Sequence, residues 1–178
     1  LLAAEYLKQS VSSTTNFTTD ERTIRSLLAG WTGNLDQHRF QFNVRRDDNS
    51  QFGGKTTGSG TYGYQFTPAW RAHVSYGTAF RAPTFNELYF PNIFGPLYIG
   101  NPNLKPEEAK NAEAGVTWEA NGHRLSAIYF HNKIDNLIVG WPLANVNKAT
   151  IEGTTLSYSA NVGPWSGSIS VDLQRPRD

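Results

Sequence analysis

"WRAHVSYGTAF", Trp70 to Phe80, alternates almost without a break: Trp70, Ala72, Val74, Tyr76 and Phe80 fall on one side of an extended chain, Arg71, His73, Ser75 and Gly77 on the other. Successive side chains of a strand point to opposite faces, so this stretch reads as a strand with one apolar face and one small, polar face. The same division recurs on both sides of it. "RFQFNVR" sets Phe40, Phe42 and Val44 against Arg39, Gln41, Asn43 and Arg45, and "WSGSISVDLQ" sets Trp165, Ile169, Val171 and Leu173 against Ser166, Ser168, Ser170, Asp172 and Gln174. Helical periodicity is scarce, and the chain reads as all-β.

Extended along the chain, this pattern predicts about nine strands, near 3–14, 22–33, 38–48, 55–66, 70–81, 108–120, 123–133, 149–162 and 165–175. In the seventh, "LSAIYF" is apolar on both faces and its facing cannot be read. Strands this long exceed the ~5–6 residues usual in soluble sheets and match the ~9–11 that cross a bilayer at a tilt.

Short and long connections alternate. "NLDQ" at Asn34, "TPA" at Thr67, "NG" at Asn121 and "GP" at Gly163 have tight-turn chemistry. "TNFTTDE" at Thr15, "NSQFGG" at Asn49, the run after Phe80 and the stretch from Ile134 to Lys148 read as long loops. Four of the five tryptophans, Trp31, Trp70, Trp118 and Trp165, stand near the short turns on the apolar faces, with Phe40 and Phe66 beside them. Indole prefers the headgroup boundary, so this is half of an aromatic girdle. The competing reading is a soluble β-sandwich acting as a binding module, which has no reason to gather its tryptophans at one end and its long loops at the other. The mean hydropathy of −0.49 fits either, because barrel lumens and loops are polar.

Composition narrows the function. A net charge of +1 without a basic run argues against nucleic acid as a partner. The absence of Cys removes disulfide frameworks, thiolate metal sites and Cys nucleophiles. Asp47, Asp48 and Asn49 are oxygen donors that calcium accepts but read as a solvated loop, and His38, His73, His123 and His131 lack ligand spacing and read as lumen or turn residues. No metal or other cofactor is expected. Ser126, His131 and Asp135 are an arbitrary trio for a barrel hydrolase, and no enzyme activity is expected. The chain opens on "LLAAEYLKQS", already strand-like, and closes on "DLQRPRD", which reads as a segment of something longer.

"SYGTAFRAPTFNELYFP", Ser75 to Pro91, followed by "GNPNLKPEEAKNAEAGV", Gly100 to Val116, resembles the barrel signature of TonB-dependent outer-membrane receptors. "DDNSQFGGKTTGSGTYGYQFTPAWR", "NLIVG", "VNKATIEGTTLSY" and "LQRPRD" are similar to its cobalamin (vitamin B-12) transporter branch. The resemblance implies a bacterial outer-membrane barrel of about 22 strands around a plug, of which this chain is a middle-to-late segment of antiparallel meander, residues 1–178 forming a partial barrel domain. It further implies a cobalamin-like ligand at the extracellular face, outer-membrane lipid around the wall, and TonB acting through a plug that this chain does not include. Calcium sites, where the branch has them, belong to earlier loops.

Within that scheme the loop after Phe80 is the expected gripping element. Phe85, Tyr89, Phe90, Phe94, Tyr98 and Asn101 offer amphipathic area and hydrogen-bonding tips, and Pro83, Pro91, Pro96, Pro102 and Pro106 stiffen the backbone. The same aromatics could instead pack the loop on its neighbours, and Arg81 with Glu87 could form a structural ion pair. Cut from a barrel, such a segment is expected to curl its apolar face inward, into a sandwich or small barrel, or to associate through its edges.

Overall fold

The computed structural model of the chain describes residues 1–14, 17–91, 95 and 99–177. Nine strands form one antiparallel sheet in chain order: β1 Leu2–Ser10, β2 Glu21–Leu35, β3 His38–Asn49, β4 Gly53–Gln65, β5 Trp70–Arg81, β6 Glu107–Ala120, β7 His123–Val139, β8 Ala144–Val162 and β9 Trp165–Arg177. One short helix, α1 Phe85–Tyr89, lies in the β5–β6 connection. The sheet is not closed, and β1 and β9 are its two edges.

At one end short turns join β2 to β3, β4 to β5, β6 to β7 and β8 to β9. Asn121 and Gly122 take φ of 52° and 79°, the left-handed pair that a two-residue hairpin with the right-handed strand twist requires. At the opposite end the expected loops divide. The chain between β5 and β6 is long, but "NSQFGG" closes as a tight turn between Asn49 and Gly53, and the stretch 134–148 is no loop: β7 runs to Val139 and β8 starts at Ala144. Gly140, at φ 80°, turns that hairpin. The polar residues of this stretch sit on strands extending past the apolar zone, where Asn136 donates to the Pro106 carbonyl and Asn145 to the Lys105 carbonyl.

The register sorts the two faces. Trp31 opposes Phe42, Trp70 opposes Trp118, and Trp165 opposes Val162, so the four tryptophans share one face. On β7, Leu125, Ala127 and Tyr129 join this tryptophan face, while Ser126, Ile128 and Phe130 lie on the polar face. Phe130 is accommodated there by Gly153 opposite it, where a Cβ would come within 2.7 Å of the ring. From Trp165 to Leu173 the apolar stripe runs about 27 Å along β9. At the usual tilt of about 40° this is roughly 20 Å of depth, close to the ~25 Å apolar band of an outer-membrane barrel.

This face stays open to its surroundings: Leu27 is 66% exposed, Ile169 65% and Trp165 80%. The inward curl that would cover it is not adopted. Total accessible surface is 11820 Å², against about 8,600 Å² for a compact globule of this mass. Among the described residues the buried apolar side chains are few, and Leu88, Leu104 and Pro83 belong to the β5–β6 connection. A soluble sandwich would bury its apolar sheet face; here the only substantial packing among the described residues lies under a loop.

Candidate ligand-binding loop

The β5–β6 connection folds back over the polar face toward the first strands. Thr84 starts α1 as an N-cap: its hydroxyl accepts from the Glu87 N–H at 3.1 Å, and the Glu87 carboxylate accepts from the Thr84 N–H at 2.7 Å, a capping box. Arg81, at the end of β5, donates to that carboxylate at 3.0 and 3.2 Å and to Glu107, the first residue of β6, at 2.5 Å. The anticipated Arg81–Glu87 pair thus exists and also ties together the two strand ends that carry the loop. Burial alone would raise the pKa of the Glu87 carboxyl, but the bonds from Arg81 and Thr84 outweigh it and hold the group below the ordinary carboxylate range.

The far end of the loop is held by residues that sequence reasoning missed. Arg22, the second residue of β2, is 8% exposed. It donates to the Pro83 carbonyl at 2.6 Å and to Gln9 at 2.5 Å, and its guanidinium lies 5.0 Å from the Phe85 ring centroid, a cation–π contact. Gln51, in the β3–β4 turn, donates its side-chain amide to the Tyr89 hydroxyl. Leu88 is 1% exposed in the packing between these contacts. Nothing local marks Arg22 or Gln51, because their partners are distant in sequence.

Asn101 fastens the other half. Its amide donates to the Leu143 carbonyl in the β7–β8 turn at 2.9 Å, and its oxygen accepts from the Asn103 N–H at 3.0 Å. Asn145 reinforces this join, accepting from the Lys105 N–H at 2.8 Å and donating to the Lys105 carbonyl at 2.9 Å. Within the loop, the Asn101 N–H reaches the Glu87 carbonyl at 2.8 Å and the Gly100 N–H the Phe90 carbonyl at 2.9 Å. Of the six expected gripping residues, Phe85, Tyr89, Phe90 and Asn101 are therefore gathered in one clasped unit, half-buried. Phe94 and Tyr98 lie outside the described residues.

The remaining sequence candidates separate. Asp47 is on the polar face, bonded to Ser26 at 2.5 Å and Arg45 at 2.7 Å, while Asp48 points to the tryptophan face, so they are not a solvated loop pair. His38 and His123 follow short turns and contact the Tyr62 and Tyr158 hydroxyls, each at 2.8 Å, as turn residues. His73 lies on the polar face over Gly115. His131 departs from expectation: it is on the tryptophan face, 3.7 Å from Glu152, because the facing of β7 cannot be read from sequence. Ser126 and Asp135 fall on opposite faces of β7, so that trio is not assembled. On the polar face near the short turns, Asn34, Arg39, Arg71 and His73 border a hollow of about 360 Å³.

Residues 4–174 match the family model described as TonB dependent receptor-like, beta-barrel. The chain is 31% identical, over 98% of its length, to the vitamin B12 transporter BtuB of Photobacterium profundum, of which the match covers 30%. Among solved structures, the siderophore receptor PirA of Pseudomonas aeruginosa superposes with a TM-score of 0.79 at 25% identity, covering 98% of this chain and 36% of that one. A mutant of the ferric enterobactin receptor PfeA from Pseudomonas aeruginosa, in complex with enterobactin, superposes at 0.76 with 20% identity, over 97% and 33% of the two chains. The chain spans about a third of the length of each.

Proposed function

Given that the chain belongs to the TonB-dependent receptor β-barrel family, outer-membrane proteins of Gram-negative bacteria, we propose that it forms the wall and extracellular loops of a receptor that binds and imports cobalamin or a similar bulky chelate. The family is one of receptors and transporters. The plug and the other strands lie outside this chain, which forms one partial barrel domain, and TonB acts through that plug. No bond in the ligand is made or broken in this scheme. The wall provides a rigid polar lumen, and the clasped β5–β6 loop, with Phe85, Tyr89, Phe90, Phe94, Tyr98 and Asn101, provides the contact surface.

The observation that carries the cobalamin reading is the 31% identity to a vitamin B12 transporter across nearly the whole chain. The siderophore receptors share the fold and define the competing ligand class. Titration of the full-length receptor with cyanocobalamin and with ferric siderophores separates the two. Saturable cobalamin binding, abolished by deleting 85–101, is the expected result. Binding of a ferric siderophore without cobalamin binding would overturn the ligand assignment.

A further inference from the structure

The apolar stripe on the tryptophan face stops at a sharp border. Between that border and the short turns this face carries no Asp, Glu, Lys or Arg among the described residues; beyond it, charges appear on every strand pairing from β6 to β9. Val171 and Leu173 on β9 give way to Arg175 and Arg177, Tyr129 on β7 to His131 and Lys133, and Ala114 and Ala112 on β6 to Lys110. The register then brings cations together: Lys110 is directly opposite Lys133, Lys133 opposite Thr150, and Thr150 opposite Arg177.

Two lysines facing each other across a strand pair repel, and a fold gains nothing from the arrangement by itself. The nearby acids do not neutralise it. Asp135 reaches Lys133 at 3.7 Å, Glu152 is shared between Arg177 at 3.1 Å and His131 at 3.7 Å, and Glu108, opposite Asp135, is engaged by Lys55 of β4 at 2.5 Å. Lys110 and Arg175 make no ion pair among the described residues. At the equivalent level of β1–β3 no two cations face each other: Lys8 pairs with Glu21 at 2.8 Å, Arg25 is opposite Asp48, and Arg46 is opposite Thr56 and donates to it at 3.0 Å. Across four strands the patch is about 14 Å wide.

We propose that this patch, Lys110, Lys133, Arg175 and Arg177, binds the phosphate groups of an anionic lipid headgroup in the leaflet on the long-loop side. The phosphates of a lipid stand at the level where its hydrocarbon ends, which is where these cations stand relative to the apolar stripe. Basic side chains at such a boundary attract anionic headgroups, and charge-assisted bonds to phosphate are strong there. The lysine pair then has a shared counter-ion, and the bound lipid holds the barrel wall at a defined depth on its β6–β9 side.

The test uses the full-length receptor in zwitterionic phosphatidylcholine nanodiscs, titrated with diphosphorylated lipid A or phosphatidylglycerol, with retained lipid counted by native mass spectrometry. Wild type is expected to retain both anionic lipids over phosphatidylcholine. Lys110→Gln/Lys133→Gln/Arg175→Gln/Arg177→Gln is expected to weaken retention about tenfold or more. Lys8→Gln/Arg25→Gln, which removes the two cations of β1–β3 that face acids, is expected to change it less than about twofold. Equal losses in the two variants, or equal retention of phosphatidylcholine by wild type, would overturn the proposal. Heat-modifiable gel mobility reports whether each variant is folded. If the first variant fails to assemble, a photoreactive lipid A analogue on wild type decides: labelling of β6–β9 supports the patch, and labelling confined to other strands refutes it.

Discussion

Replacing Arg22 by alanine removes three contacts at once: the bond to the Pro83 carbonyl, the bond to Gln9, and the guanidinium over Phe85. A hydrogen bond to a charged group contributes about 1.5–3 kcal/mol, and a partly desolvated cation–π contact about 0.5–2 kcal/mol. The Pro83 carbonyl, deep in the packing, is also left without its donor. Loop closure should therefore weaken by at least about 2 kcal/mol, which is about thirtyfold in the opening equilibrium. Hydrogen exchange on the folded receptor measures this directly at the Leu88, Phe90, Gly100 and Asn101 amides, whose bonds lie inside the loop. Amides in the β7–β8 ladder serve as internal reference and should not change. Arg22→Lys keeps the charge but not the planar fork, and should fall between wild type and alanine. If the four loop amides in Arg22→Ala exchange within about threefold of wild type, Arg22 is not the latch, and the loop is held by Gln51 and Asn145 instead.

Two further outcomes follow from the same geometry. The Glu87 carboxyl has a folded-state pKa below its unfolded value, so its contribution is fully present above the unfolded pKa of about 4.3 and is lost as pH falls through the lower folded value. Proteolysis of the loop should accelerate in that acidic window and stay flat from about pH 5 to 8; Glu87→Gln should cleave faster at neutral pH and lose the acid step. Val74→Lys, in the middle of the apolar stripe, should cost about 2–4 kcal/mol in urea titrations of the full-length receptor in vesicles, whereas Ser75→Lys, facing the polar side opposite Glu113, should be tolerated; similar costs at both positions would contradict the assignment of Val74 to the lipid side and Ser75 to the lumen.

Much of the sheet is legible in the sequence because period-two alternation is a property of a few neighbouring residues. Trp70–Arg81 reads with its observed bounds, and β3, β6 and β9 come within two residues at each end. Asn121-Gly122 announces its hairpin through the one backbone conformation those residues favour. The β7–β8 hairpin reads wrongly as a loop because its upper part leaves the apolar zone: once both faces meet water, alternation vanishes while the hydrogen-bonded ladder continues. Leu125 to Phe130 cannot be oriented from sequence for a related reason, since Phe130 is an apolar residue on the polar face, admitted by the missing side chain of Gly153 across the ladder.

From the order of residues alone come the strand-rich class, the four tryptophans at one level, the long β5–β6 connection and the family. All depend on local pattern or on matched motifs. The clasp and the cationic patch depend on tertiary structure. Arg22 and Pro83 are 61 residues apart and meet because the loop folds back across three strands; Lys110, Lys133 and Arg177 line up because antiparallel register sets one chain position against another. Register and loop path arise from contacts summed over the whole sheet, and no window of neighbouring residues contains them.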